Sequence, residues 1–302
     1  MSMGDSPLDV IGVGGAGGFL ASSLYRGGIR PRIISRGAAL LQLREVGLTI
    51  LNDGKRRIYA PINSIALDDV QQFAPIILLA TKSYDVPRLL EEIAPRITAE
   101  TLLVTIQNGF AAYDAIYSAF GPDRAAMGVL YVSASIVSPA VIEVMSGVGQ
   151  ILLPTRHSQV LQPLVDSLCI ADVEADLVND IERRMWMKQL FLVPFSSVNA
   201  ELRQPIGMLR EDAGARARWG RIAQEVSAIA CACGVSMPIN AAEVSLSVAE
   251  RFDPQADSSF ARDVWAHRPQ EGEALFGPLV RRAHEHNVLC PLLQEAYERY
   301  VG

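Results

Sequence analysis

The chain has 302 residues, half of them hydrophobic and 20% charged, with a formal net charge of −6. That length supports two domains with their own cores, and the mild acidity excludes a nucleic-acid surface built on bulk positive charge, the longest basic run being Lys55-Arg56-Arg57. Cys169, Cys231, Cys233 and Cys290 fit neither a disulfide framework nor a paired zinc motif, and no stretch approaches a membrane span or a signal-type apolar core, so a cytoplasmic protein without bound metal is expected.

The first apolar run, Leu8-Asp9-Val10-Ile11, ends in Gly12-Val13-Gly14-Gly15-Ala16-Gly17, and helical character follows from Phe19 to Tyr25. The order is strand, tight glycine turn, helix. Glycine lets the backbone bend sharply and a pyrophosphate approach, while the helix start offers unpaired N–H groups and a positive dipole end, so this stretch is expected to bind a dinucleotide. Arg32-Ile33-Ile34-Ser35 reads as the second strand, with Arg36 at its carboxyl end. An acidic residue there would bond the ribose 2′-hydroxyl of NAD, but none occurs between Gly28 and Arg44. The guanidinium of Arg36 suits a 2′-phosphate instead, which selects NADP; the bland alternative is an exposed loop arginine.

Short alternating segments from Leu48 to Pro61 around Asn52-Asp53-Gly54 predict a hairpin. Ile76-Ile77-Leu78-Leu79-Ala80 is continuously apolar, as a central parallel strand should be, and stops at Thr81-Lys82-Ser83-Tyr84-Asp85 before a helix through Leu89-Leu90 to Ile93. Leu102 to Ile106 repeats the pattern and ends at Gln107-Asn108-Gly109. Ligands bind outside the carboxyl ends of parallel strands, so Arg36, Lys82 and Asn108 are expected to face one crevice; singly, each is also explicable as a surface or turn residue.

Further strands are expected over Ala126 to Val137, Val141 to Val144, Ile151 to Leu153 and Ile170 to Val173, with a helix from Gln159 to Leu168. Beyond Leu177 the periodicity turns helical, with long segments around Asp180 to Phe195, Asp212 to Cys233, Ala241 to Arg251 and Gly272 to His286. The expected fold is therefore α/β, a Rossmann-type, mostly parallel sheet domain over residues 1–177 that binds NADP, followed by an all-helical domain over residues 178–302.

In the first of these helices Met185, Trp186, Met187, Leu190, Phe191, Leu192 and Val193 surround Lys188. Such a lysine either snorkels to water or points into a polar cleft, where desolvation lowers its pKa and prepares it for proton transfer. Pro194 removes one hydrogen bond and should kink this helix. Pro269 suits a first helical position, placing Glu271 in the first turn, where the dipole alone stabilises a carboxylate. Ser258 and Ser259 are capping or loop candidates.

The motifs Gly12 to Gly17, Ser35-Arg36-Gly37, Thr81 to Asp85, Gln107-Asn108-Gly109, Trp186-Met187-Lys188 and Ser258-Ser259-Phe260 to Glu271, in this order, resemble ketopantoate reductase (2-dehydropantoate 2-reductase) over nearly the whole chain. The resemblance implies a cleft between the two domains, Lys188 as general acid, and Glu271 as the anchor of substrate or cofactor hydroxyls. It also implies that Lys82 and Asn108 line the nicotinamide and substrate site, that Ala134 touches the cofactor, and that Ser259 contacts substrate. NADPH would deliver hydride to the carbonyl carbon of a 2-keto acid while Lys188 protonates the alkoxide.

The family usually presents asparagines one and two turns after the lysine and another near the next loop; here the positions read Leu192, Ser196 and Ile206. Lys188, Leu192 and Ser196 share a helix face, so the wall beside the acid is less polar, with Ser196 as its remaining substrate-side polar group. The expected activity is reduction of 2-dehydropantoate to pantoate or of a more apolar relative. The rivals are a non-catalytic NADP-binding or redox-sensing protein, and another 2-hydroxy acid or amino-acid dehydrogenase of similar plan. Expected partners are a small 2-keto acid and, as a homodimer, a second copy of the chain, with neither nucleic acid nor membrane involved.

Overall fold

In the computed structural model, which describes residues 7–301, the N-terminal half forms β1 (Leu8–Ile11), α1 (Gly15–Arg26), β2 (Arg32–Ile34), α2 (Gly37–Glu45), the hairpin β3 (Leu48–Asn52) and β4 (Lys55–Tyr59), and β5 (Ser64–Ile65). There follow β6 (Ile76–Leu79), α3 (Val86–Ile93), β7 (Leu102–Thr105), α4 (Ala111–Phe120) and β8 (Ala125–Met127). Then come β9 (Val129–Ser138), β10 (Val141–Pro154), α5 (Ser158–Ile170) and β11 (Glu174–Val178). The rest is helical: α6 (Ile181–Leu202), α7 (Ile206–Glu211), α8 (Ala213–Ala232), α9 (Ala241–Ala249), α10 (Ser259–Trp265), α11 (Gly272–Glu285) and α12 (Pro291–Tyr300). Two compact units result, residues 7–107 with 112–181, and residues 182–301 together with the short segment 108–111.

The first unit is a Rossmann-like parallel sheet, ordered β5-β2-β1-β6-β7-β8. Apart from Asp9 in β1 and Thr105 in β7, its central strands are apolar because both faces are covered. Val10, Leu78 and Val104 enter the core on the side of α1 and α5, whereas Ile11, Ile77, Leu79 and Leu103 enter the one built on α3 and α4. A second, mixed sheet is centred on β10, which pairs antiparallel with β9 and parallel with both β3 and β11. Helix α1 is buried from Gly17 to Tyr25 because it packs on this second sheet as well as on its own.

Asp9 is fully buried in β1. Its carboxylate accepts from Arg32 Nε at 2.7 Å, from Arg32 Nη2 at 2.8 Å and from the Ala74 N–H at 2.7 Å, so the charge is paired and hydrogen-bonded, the condition under which an interior carboxylate is tolerated. The hairpin turns at Asp53 and Gly54, both at positive φ (48° and 71°), matching the twist of its strands. The last strand lies later than its sequence suggests. α5 continues to Ile170, the chain reverses through Asp172 at φ 57°, and β11 begins only at Glu174.

In the helical unit Pro194 sits inside an unbroken α6. The Leu190 carbonyl, four residues earlier, is the one that loses its helical donor. The Ser245 hydroxyl donates to it at 2.7 Å and in turn accepts from Trp219 Nε1 at 2.7 Å. Rings of Phe191, Phe195, Trp219 and Phe252 pack around this region, with Phe191 and Phe252 stacked at 4.9 Å between centroids. Among the described residues no helix is long and apolar enough to cross a membrane, and no three His, Cys, Asp or Glu side chains are placed to hold a metal ion.

Candidate functional site

The turn after β1 is shaped by close approaches that admit only glycine. Gly12 has φ 96°, and a Cβ there would lie 2.9 Å from the Thr81 nitrogen. A Cβ on Gly17 would collide with the Gly12 carbonyl, and one on Gly15 with the carbonyl of Ala134 on β9. Above Gly14, by contrast, the nearest atom to a Cβ is Ile136 Cδ1 at 3.9 Å, so the backbone is open to an approaching group at that point. The turn is thus braced from below by β6 and from one side by Ala134, and the N-terminus of α1 is left with no side-chain cap. Such an uncapped, glycine-walled helix start fits a diphosphate. The Thr81 hydroxyl beside it is buried with no hydrogen-bond partner among the described residues, a second feature that fits a missing ligand.

The other sheet-end residues lie as the parallel topology requires. Arg36 follows β2, is exposed, and directs Nη2 to Asp85 Oδ2 at 3.4 Å. Lys82 follows β6 and is half-buried; its carbonyl accepts from the Asp85 N–H at 3.0 Å to start a single turn ahead of α3.

Asn108 leaves β7 but belongs, with Gly109 and Phe110, to the helical unit. A Cβ on Gly109 would strike the carbonyl of Ala274 in the first turn of α11, and the Phe110 ring lies 4.7 Å from that of Trp186 on α6, with the Arg282 guanidinium 4.7 Å over it. Residues 108–110 therefore bridge the turn of α6 that carries Lys188 and the start of α11 that follows Glu271. Lys188 is half-buried at the level of the residue, and loss of hydration at its ammonium lowers the pKa from 10.5 to about 8.

Glu271 is not in the first turn of a helix. α11 begins at Gly272, with Glu271 at the N-cap position and its carbonyl accepting from the Leu275 N–H at 3.0 Å. The cap is supplied by Gln270, whose Oε1 accepts from the Gly272 N–H and whose Nε2 donates to the Tyr300 carbonyl at 2.5 Å. Gln270 thereby replaces Pro269 as the residue that sets the helix start. Ser258 is the N-cap of α10, its Oγ accepting from the Ala261 N–H at 3.0 Å, and Ser259 is exposed on the first turn. Ser196 is fully enclosed, and its hydroxyl has no partner among the described residues. Leu192 and Phe191 are half-buried on the same helix.

One organising residue escaped the sequence motifs. Asn199, fully buried on α6, donates to the Gln204 carbonyl at 2.8 Å and to Asp257 Oδ1 at 3.0 Å, and accepts from the Ser258 N–H at 2.8 Å. It fixes the Ser258-Ser259 segment to the lysine-bearing helix. Its one signal is an amide beside Ser196 and Ser197 near the end of α6, three turns from Lys188.

Residues 9–157 match the family model for ketopantoate reductase PanE/ApbA, and residues 180–300 match its C-terminal companion. The chain belongs to the ketopantoate reductase family. It is 28% identical to the 2-dehydropantoate 2-reductase of Pyrobaculum aerophilum, over 94% of this chain and 93% of that one. Among solved structures, the 2-dehydropantoate 2-reductase of Geobacter metallireducens superposes with a TM-score of 0.88 at 21% identity, covering 96% of this chain and 97% of the other. A D-mandelate dehydrogenase solved with NADH and anilino(oxo)acetate superposes with a TM-score of 0.86 at 20% identity, covering 96% of both. Ketopantoate reductase family membership makes this chain an oxidoreductase, and the two likenesses below 25% identity add the shared fold.

Proposed function

We propose that this family member reduces a 2-keto acid with an apolar substituent to the 2-hydroxy acid, using NADPH, with Lys188 as the general acid. The desolvated ammonium of Lys188 carries the proposal. With its pKa lowered to about 8, it is still protonated at neutral pH yet releases its proton far more readily than an exposed lysine. Bound NADPH supplies the hydride to the carbonyl carbon. Lys188 Nζ gives its proton to the developing alkoxide and is restored from solvent. Gly12 to Gly17 hold the diphosphate with Ala134 behind them, Arg36 holds the 2′-phosphate, and Lys82 lines the nicotinamide side. Asn108 and Ser259 orient the substrate, and Glu271 anchors hydroxyl groups. The residue range for cofactor binding is 1–177 and that for the substrate residues 178–302, apart from Asn108.

The apolar substituent is argued from Leu192 and the Phe191–Phe252 stack, which stand one turn from Lys188. A wall without amide donors or acceptors rewards an apolar substrate group and gives little to a hydroxylated one. The test is a steady-state panel of 2-keto acids, from 2-dehydropantoate to branched and aryl members, followed by loss of NADPH absorbance. Turnover that favours the apolar members supports the proposal. Lys188→Ala should lower kcat by about 10²–10⁴-fold, the usual contribution of a positioned proton donor, with NADPH binding retained. NADPH oxidation absent with every member would overturn it.

A further inference from the structure

The ion pair between Arg36 and Asp85 joins the two loops on either side of the glycine turn, because β2 and β6 are the two neighbours of β1. Asp85 stands at the N-cap position of α3, where a carboxylate ordinarily accepts from first-turn N–H groups. It makes no such bond, and its Oδ2 lies 3.4 Å from Arg36 Nη2. The guanidinium is 87% exposed at its side chain and the carboxylate 40%. This is a loose, single-contact pair of the kind that contributes roughly 0–1 kcal/mol to folding, so the carboxylate, favoured at the start of α3 by the helix dipole, is held to the arginine only weakly. The next charge along is Arg88, which feels Asp85 but spends its own fork on Glu92, Nε to Oε1 at 2.7 Å.

We infer that Asp85 is a cofactor-specificity residue: it competes with the 2′-phosphate of NADPH for Arg36 and so narrows the preference for NADPH over NADH. The inference rests on the proposal that Arg36 receives the 2′-phosphate. A phosphate gripping that fork would stand within about 6 Å of the Asp85 carboxylate, inside the ~8 Å screening length of physiological salt. Binding NADPH must therefore displace Asp85 from Arg36 or accept the repulsion between two anions. NADH brings a neutral hydroxyl to the same place, feels no repulsion, and offers Asp85 a hydrogen-bond donor. Selectivity here is a difference of two affinities, lowered by a like charge set against the phosphorylated ligand.

The experiment is equilibrium binding of NADPH and of NADH, each by its fluorescence, to the full chain and to Asp85→Asn, Asp85→Ser and Arg36→Ala, with thermal melts to verify folding. Asp85→Asn and Asp85→Ser should tighten NADPH relative to NADH by about three- to tenfold, the size expected of one partly screened charge pair. The gain should shrink as salt is raised. Arg36→Ala should weaken NADPH selectively. An unchanged or lowered NADPH/NADH ratio in both Asp85 variants, while Arg36→Ala still loses NADPH selectively, overturns the competition and leaves the 2′-phosphate assignment standing. Equal loss of both cofactors in Arg36→Ala overturns that assignment and the competition with it.

Discussion

Replacing Lys188 by methionine separates the cost of burying its charge from its catalytic use. Loss of hydration lowers the pKa from 10.5 to about 8, which at roughly 1.4 kcal/mol per unit corresponds to about 3 kcal/mol of disfavour for the charged form. Below pH 8 the folded and unfolded chains both carry the proton, so the wild-type protein bears the whole cost. Between about 8 and 10.5 the folded chain has released its proton and the unfolded chain has not, so wild-type stability rises with pH across that window. Lys188→Met should therefore be more stable than wild type at pH 7, by up to about 3 kcal/mol, with the advantage fading toward pH 10.5. Urea unfolding at pH 7 and pH 10 measures it. On the proposal that Lys188 is the general acid of 2-keto acid reduction, kcat/KM should hold below pH 8 and fall as pH rises through it. A variant advantage that does not change with pH, together with a kcat/KM profile flat to pH 10, would refute the reasoning.

Three further perturbations follow from hydrogen bonds on which the two units depend. Asp9→Ala takes the carboxylate from Arg32, which keeps the Gln72 carbonyl at 2.8 Å, and strands the Ala74 N–H; it should destabilise the protein by about 3 kcal/mol, the low end for loss of one partner of a buried pair, measured by chemical denaturation. Ser245→Ala leaves the Leu190 carbonyl and the Trp219 indole N–H unpartnered and should cost about 2–4 kcal/mol; Pro194→Ala in the same background restores the carbonyl's helical donor and should recover part of the loss. Asn199→Ala releases the Ser258-Ser259 segment from α6. On the proposal that Ser259 orients the substrate, the variant should raise KM for the keto acid more than it lowers kcat; an unchanged KM would remove Asn199 from the account.

Much of the fold was legible because its signals are local. The doubly covered strands at Ile76 and Leu102 announce themselves by continuous apolarity, the hairpin by Asn52-Asp53-Gly54, and the helical half by its change of period. What went unread depends on partners distant in sequence. The edge strand β11 is specified by pairing with β10, not by its own alternation, and so the apolar pattern points four residues too early. The short helices α7 and α10 carry too few turns for a period to emerge. Pro269 is the stronger local signal and points to Glu271 in a first turn; Gln270 overrides it through the Tyr300 carbonyl, thirty residues on.

The sequence by itself determined the strand, turn and helix of Gly12 to Gly17, the residue types at Arg36, Lys82, Asn108, Lys188 and Glu271, and the presence of Leu192, Ser196 and Ile206 where the family resemblance implies amides. These are matters of steric allowance and chemical identity, which belong to single residues. Only the tertiary structure decided that Lys188 is desolvated, that Asp85 reaches Arg36, that Asn199 holds the Ser258 cap, and that Ser245 answers the carbonyl freed by Pro194. Each of these is a property of a pair or of an enclosure, set by which groups folding brings together, and hydration and charge coupling have no value until those neighbours are in place.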